Sequence, residues 1–262
     1  MEWGRWLELN LRGMQAAFSS FASSSGAQLL ERDGFIALVN PAVRERSVFN
    51  SVIYVDPDGL ESARDELAQT YADAGCAWTV WVPERDAQTA GMLEAAGHVL
   101  DARPRAMGIE LDGVEEPDLS GLDWTAEGDP AEMAALNDSA YGYEPGTWAR
   151  GTGRRPEGMN VYVARVDGKP AATVGSLETG GDCSIWNVAT AEWARGRGLS
   201  SALMRRAIFD AARRGCQTST LQATKLGAPV YRRCGYEDFG AVGMWELRPP
   251  ELAAQAHPAP AA

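Results

Sequence analysis

Residues 195–201 read Arg195-Gly196-Arg197-Gly198-Leu199-Ser200-Ser201, and the periodicity of the chain changes across them. Upstream, Cys183 to Ala189 is a short apolar run of strand character. Downstream, Leu199, Leu203, Ala207, Ile208 and Ala211 recur at helical spacing until Gly215, a residue suited to a left-handed helix stop. A strand thus feeds a helix through a glycine-rich turn. Glycine tightens such a turn without placing a side chain between backbone and ligand, and the first-turn N–H groups of a helix are unpaired donors at its positive end. That geometry binds phosphate. Arg195 and Arg197 add positive charge, and Ser200 or Ser201 offers a hydroxyl. Taken alone, the turn suits a plain strand-to-helix connection equally well.

The surrounding segments narrow the choice. Val161 to Val166 alternates, Asp167-Gly168 is a hairpin turn, and Ala171 to Leu177 reads as the return strand. Beyond Gly215, Thr218 to Gln222 reads as another strand, Ala228 to Arg233 as a short helix, and Gly240 to Leu247 as a closing strand. The helix carries Ala228-Pro229-Val230-Tyr231-Arg232-Arg233-Cys234-Gly235-Tyr236.

Together these two motifs, in this order on these elements, resemble the GNAT superfamily of N-acetyltransferases over residues 124 to 248. Arg195, Gly198 and Ser200 occupy the places of the family's cofactor motif, with serine where a smaller residue is usual. Tyr231, followed four residues later by Gly235 and an aromatic, resembles its second signature. The resemblance implies an α/β, mixed and mostly antiparallel central sheet flanked by helices, and direct acetyl transfer from acetyl-CoA to an amine in a ternary complex. It implies that Arg195, Gly196, Arg197, Gly198, Leu199, Ser200 and Ser201 hold the pyrophosphate, and that the backbone of Asn187, Val188 and Ala189 holds the pantetheine arm. Tyr231 is then the proton donor to the leaving thiolate. The same tyrosine also suits a half-buried core position.

The strand that carries a glutamate base in many such proteins reads Asp182-Cys183-Ser184-Ile185-Trp186-Asn187-Val188, with Ser184 in the glutamate's neighbourhood. Asp182 is the first alternative, with Glu178 and Glu144 behind it; each also suits a solvated surface, and no base is assigned. Asn137 to Arg150, with Tyr141, Tyr143, Glu144 and Trp148, falls where the resemblance places acceptor-facing helices.

The first half repeats the order loosely. Gln28 to Glu31 and Phe35 to Val39 flank Asp33-Gly34, Ser51 to Val55 is a strand, Leu60 to Ala74 a helix, and Trp78 to Val82 a strand. Ala74-Gly75-Cys76 matches Arg214-Gly215-Cys216, and Ala96-Gly97-His98 through Leu111 matches Cys234-Gly235-Tyr236 through Leu247. The reading is two GNAT-like units, a degenerate 1–118 and a catalytic 119–250, joined through the Asp-, Glu- and Pro-rich 112–123, with 251–262 as a disordered tail. At the turn equivalent to 195–201 the first half reads Val55-Asp56-Pro57-Asp58-Gly59-Leu60-Glu61, whose acids would repel phosphate, and Thr89 to Leu93 has no tyrosine. This unit is expected to pack against the second and to bind no CoA.

Composition bounds the rest. The chain has 262 residues, 45% hydrophobic and 23% charged, with no apolar run long enough for a membrane span. Its start lacks a secretory pattern, which points to the cytoplasm. A net charge of −12 disfavours nucleic acid and anionic membranes as partners and slightly favours a basic acceptor such as a polyamine, an aminoglycoside or a lysine. The acceptor is read only as a small-molecule or peptide amine, and the oligomeric state is left open. Two histidines, His98 and His257, make a metal site or a histidine triad improbable, and four scattered cysteines read as small core residues. The alternative function is a non-catalytic CoA-binding or sensory module; a nucleotide-binding α/β protein is disfavoured because 195–200 has no Gly-Lys-Ser/Thr ending.

Overall fold

Local chemistry sets the hairpins. Asp167 and Gly168 both have positive φ, 50° and 73°, the mirror-image turn that matches strand twist, whereas the two-residue turn Asp33-Gly34 in the first half has positive φ at Gly34 alone, 91°. The computed structural model describes residues 4–253. In chain order these form helix α1 (Arg5–Ser25), strands β1 (Gln28–Arg32), β2 (Phe35–Val39) and β3 (Ser51–Tyr54), helix α2 (Pro57–Ala74), β4 (Trp78–Pro83), α3 (Ala87–Ala95), β5 (Val99–Ala102) and β6 (Arg105–Glu110). There follow β7 (Asp123–Thr125), α4 (Pro130–Tyr141), α5 (Thr147–Thr152), β8 (Met159–Val166), β9 (Lys169–Thr179), β10 (Asp182–Thr190), α6 (Leu199–Arg213), β11 (Thr218–Ala223), α7 (Ala228–Arg233), β12 (Glu237–Leu247) and α8 (Pro250–Ala253). The tail assigned from residue 251 begins inside α8 and, past 253, lies outside the described residues, as does His257.

The strands join one sheet in the order β1-β2-β3-β4-β12-β6-β11-β10-β9-β8-β7, with β5 paired to β12 off that path. Only β3–β4 and β10–β11 are parallel; the other pairs are antiparallel. The sheet therefore runs without a break across the segment 112–123. Its centre exchanges strands between the ends of the chain: β6 sits beside β11, from Arg105↔Ala223 to Glu110↔Thr218, and β12 sits beside β4, from Val242↔Pro83 to Leu247↔Trp78.

Helix α1 was not among the elements read from the sequence. Leu7, Leu11, Met14, Phe18 and Phe21 form its buried stripe, each contributing about 2 kcal/mol of apolar burial. It lies across the seam of the sheet. Asn10 Nδ2 donates to Leu221 O at 2.9 Å, and a Cβ on Gly13 would come within 3.0 Å of Ser184 Oγ. Phe18 and Phe21 meet the Trp186 ring edge-on at 5.9 and 5.7 Å. One apolar core gathers α1, α2 and β2–β4, and a second packs α6 against β8–β11. Cys76, Cys183 and Cys234 are buried as free thiols in these cores.

Candidate functional site

The two parallel strands β10 and β11 stay in register only from Asp182↔Thr218 to Ser184↔Thr220. Past Ser184 they part. On its other edge β10 pairs with β9 up to Trp186↔Gly175 and resumes at Ala189↔Thr173, which leaves Asn187 and Val188 as a bulge. Asn187 has φ 55°, a left-handed conformation that asparagine tolerates better than most residues. Its carbonyl accepts from Asn137 Nδ2 at 3.5 Å, so α4 props the bulge from one side.

Two cavities meet at this wedge. The first, about 640 Å³, is walled by the end of β10 at Val188, Ala189 and Thr190, by the turn Arg195 to Ser201, and by Thr224, Gly227, Val230, Tyr231 and Arg233 on the α7 side. Gly198 caps α6 with φ 75° and has no side chain to offer the helix's first-turn donors; Gly196 has φ 79°. A Cβ at either glycine would meet nothing within 4 Å, so the turn faces open space. The Ser200 and Thr190 hydroxyls are hydrogen-bonded, which ties the start of α6 to the end of β10. Neither Arg195 nor Arg197 forms an ion pair among the described residues. The corresponding start of α2 differs: the Asp56 carboxylate accepts from Asp58 N at 3.2 Å, and the Asp33-Gly34 turn packs so closely that a Cβ on Gly59 would lie 2.7 Å from Asp33 O. That helix end is capped and covered.

The second cavity, about 750 Å³, lies on the other side of the wedge and shares Tyr141, Val188, Thr224 and Tyr231 with the first. Asn187 lines this second cavity and not the first, in contrast to the grouping with Val188 and Ala189 read from the sequence. Tyr231 is 8% exposed, its ring edge-on to Tyr236 at 6.3 Å, and its hydroxyl has no hydrogen-bond partner among the described residues. Burial pushes this phenol well above its ordinary range, with the neighbouring Tyr141 adding to the effect. It stays protonated through neutral pH. Tyr143 and Trp148 from the 137–150 segment also line the second cavity; Glu144 lines neither.

The carboxylates weighed as bases lie elsewhere. Asp182 is buried at the paired end of β10, where its two oxygens accept from Thr218 Oγ1 and Thr220 Oγ1, both at 2.7 Å. Burial raises its pKa and the two hydroxyls oppose the rise. Five residues of strand, roughly 16 Å, separate it from Asn187. Glu178 is ion-paired with Arg214. Ser184 is fully buried under Gly13 of α1 and accepts from Trp186 Nε1 at 2.8 Å. The acids that do line the second cavity are Asp101 and Glu246, which no sequence motif marks. Glu246 is held by Ser47 and Arg248. Asp101 is exposed where it lines the cavity; partial burial first, then Glu246, raises its pKa, and Arg248 opposes. Among the described residues, no group of three or more His, Cys, Asp or Glu side chains could hold a metal ion.

Comparison with known proteins places this geometry. Residues 157–238 match the family model of the acetyltransferase (GNAT) domain. No curated protein matches. Among solved structures, a GCN5-related N-acetyltransferase from Kribbella flavida aligns with TM-score 0.68 at 20% identity, covering 94% of this chain and 98% of that one. One from Sphaerobacter thermophilus aligns with TM-score 0.58 at 19% identity, covering 95% of both. A tandem GNAT protein from the clavulanic acid biosynthesis pathway aligns with TM-score 0.55 at 13% identity, covering 81% of this chain and 78% of that one. The mostly antiparallel open sheet with its flanking helices is thus the GNAT fold, within which residues 157–238 match the model of the GNAT acetyltransferase domain.

Proposed function

We propose that this protein is an acetyl-CoA-dependent N-acetyltransferase that passes an acetyl group directly to an amine. The observation that carries the reading is the junction of two cavities at Tyr231: one ends on an open helix N-terminus flanked by unpaired arginines, and the other is a separate chamber, which the reading gives to the acceptor. The residues fit CoA. Free first-turn donors of α6 with Arg195 and Arg197 suit a pyrophosphate, and the bulged backbone at Val188 and Ala189 suits the amide-bearing pantetheine arm. Bound acetyl-CoA would supply an activated acyl group: the amine nitrogen attacks its carbonyl carbon, an N–C bond forms and the C–S bond breaks, giving an amide and a thiolate that leaves as the free thiol. Tyr231 donates its hydroxyl proton toward the departing sulfur and is reprotonated from solvent, which also takes the proton shed by nitrogen.

In the same reading the chain is two units, with the first degenerate and the second catalytic. The capped, covered start of α2 supports a first unit that binds no CoA, and the reciprocal placing of β6 and β12 supports a shared ancestry of the halves. The likeness to a tandem GNAT protein agrees with it.

Calorimetric titration with CoA and acetyl-CoA, beside an Arg195→Glu, Gly198→Asp double variant, tests the site. Saturable binding lost in the variant is expected. Absence of binding to the parent protein would remove the acetyl-CoA reading and leave the fold alone.

A further inference from the structure

The second cavity reverses the charge of the molecule. In a chain of net charge −12, six cationic side chains line it, Arg46, Arg103, Arg105, Lys225, Arg232 and Arg248, against the two carboxylates Asp101 and Glu246. Four of the six are already matched: Arg248 with Glu246, Arg103 with Glu84, and Arg105 and Arg232 with Asp238. Arg46 and Lys225 form no ion pair among the described residues.

Arg46 is held without being satisfied. Its guanidinium lies 4.4 Å from the centre of the Tyr143 ring, and its Nε is buried with no acceptor. Trp148, 9% exposed, has a buried Nε1–H that likewise lacks an acceptor. Both belong to one cluster: Phe49 meets Tyr143 at 6.5 Å and Trp148 at 5.1 Å. Two unmet N–H donors on one wall, one of them on a free cation, call for an anion, since a buried donor without a partner costs about 1–3 kcal/mol. The opposite need arises where the cavities join. There Oδ1 of Asn137 and Oδ1 of Asn187, beside Val188, are buried acceptors with no donor. Tyr143 leads back to that junction by stacking on Tyr141 at 6.1 Å. Trp81, Leu100, Trp186 and Met244 supply an apolar wall.

Resting on the acetyl-transfer reading above, we propose that the acceptor is an apolar α-amino acid. Its carboxylate pairs with Arg46 and Trp148 Nε1, its side chain lies on the apolar wall, and its amine faces Asn137, Asn187 and Tyr231. On the wall that holds Arg46, one free guanidinium and one indole N–H match the single charge of a carboxylate; Lys225, the other unpaired cation of the lining, is what a dianion would need, and the phosphonate analogue of phenylalanine tests it. This reverses the basic acceptor favoured by overall charge.

The full chain is titrated calorimetrically with L-leucine, L-phenylalanine and L-tryptophan, then with L-phenylalaninamide, 2-phenylethylamine and the phosphonate analogue of phenylalanine, with and without saturating CoA. At least one amino acid binds, and its carboxylate-free analogues bind about 10- to 100-fold more weakly, the loss of one charge-assisted hydrogen-bonded pair. Arg46→Gln removes that difference, Arg46→Lys restores part of it, and both still bind CoA, which shows that they fold. If Arg46→Gln does not fold, the analogue series on the parent protein decides alone. Equal binding of the carboxylate-free analogues, preference for the phosphonate, or no binding of any of the three amino acids overturns the proposal. Amino-acid binding without CoA binding overturns the acetyl-transfer reading and leaves the carboxylate site standing.

Discussion

Replacing Tyr231 with Phe isolates one oxygen atom. The hydroxyl makes no hydrogen bond among the described residues, so its removal leaves no buried partner unsatisfied, and the ring keeps its edge-on contact with Tyr236. Stability should change by no more than about 0.5 kcal/mol. The turn that faces the first cavity is untouched, so acetyl-CoA affinity should hold. A positioned proton donor is worth about 10²- to 10⁴-fold in rate, or roughly 3–5 kcal/mol of barrier. Thiol release under saturation with both substrates reads kcat, calorimetry reads the affinity, and a urea midpoint reads the fold. The expected result is a fall in kcat of about a hundredfold or more with the other two unchanged. Because burial holds the phenol well above its ordinary range, the parent's rate should also show no alkaline decline near pH 10 from this group. A kcat within twofold of the parent would refute the role.

Two further perturbations test the frame. Burial lowers His98 to about 4, against 6.5 in the unfolded chain, so between those values the unfolded state binds a proton that the folded state does not. Stability should therefore fall as pH drops through that window, by about 3 kcal/mol in all; urea midpoints at pH 7.5 and 4.5 should converge in His98→Phe, and an unchanged difference would clear His98 of the effect. A Cβ on Gly108 of β6 would lie 2.5 Å from the Trp6 ring, which stacks on Phe239 at 4.8 Å. Gly108→Ala should cost about 1–3 kcal/mol in thermal or urea unfolding, with Trp6→Ala relieving part of it; a neutral Gly108→Ala would mean that α1 does not seat tightly on the seam.

What the sequence disclosed was local. Asp33-Gly34 and Asp167-Gly168 specify hairpins by turn chemistry, and α6 declares itself by spacing and by Gly215, so these elements lie where the pattern puts them. The stripe Leu7, Leu11, Met14, Phe18, Phe21 was equally legible as a helix, although Gly13 in its middle weakens the local preference. The reason for Gly13 is invisible locally: it lets the helix approach Ser184, far along the chain. The same holds for β6 and β12. Each is a plain apolar strand whose neighbour is chosen by the opposite half, and alternation of side chains reports a buried face without naming the partner.

The wall of the second cavity follows from that exchange. Placing β12 beside β4 and β5 brings Glu246 and Arg248 to Asp101, and the loop before β3 brings Arg46 and Ser47 to the same chamber, so residues 46, 101 and 248 converge although no spacing links them. A sequence reading that looks for the base on β10 finds Asp182, because the strand is the only context it has; the fold spends that carboxylate on two threonines. On the carboxylate proposal, net charge is a poor guide for a related reason. Charges on the outer surface are screened over about 8–10 Å in physiological salt, whereas a group inside a chamber responds to its own lining at lower effective dielectric. An acidic exterior therefore says little about which ion the chamber takes, and an unpaired guanidinium fixed on Tyr143 says a great deal.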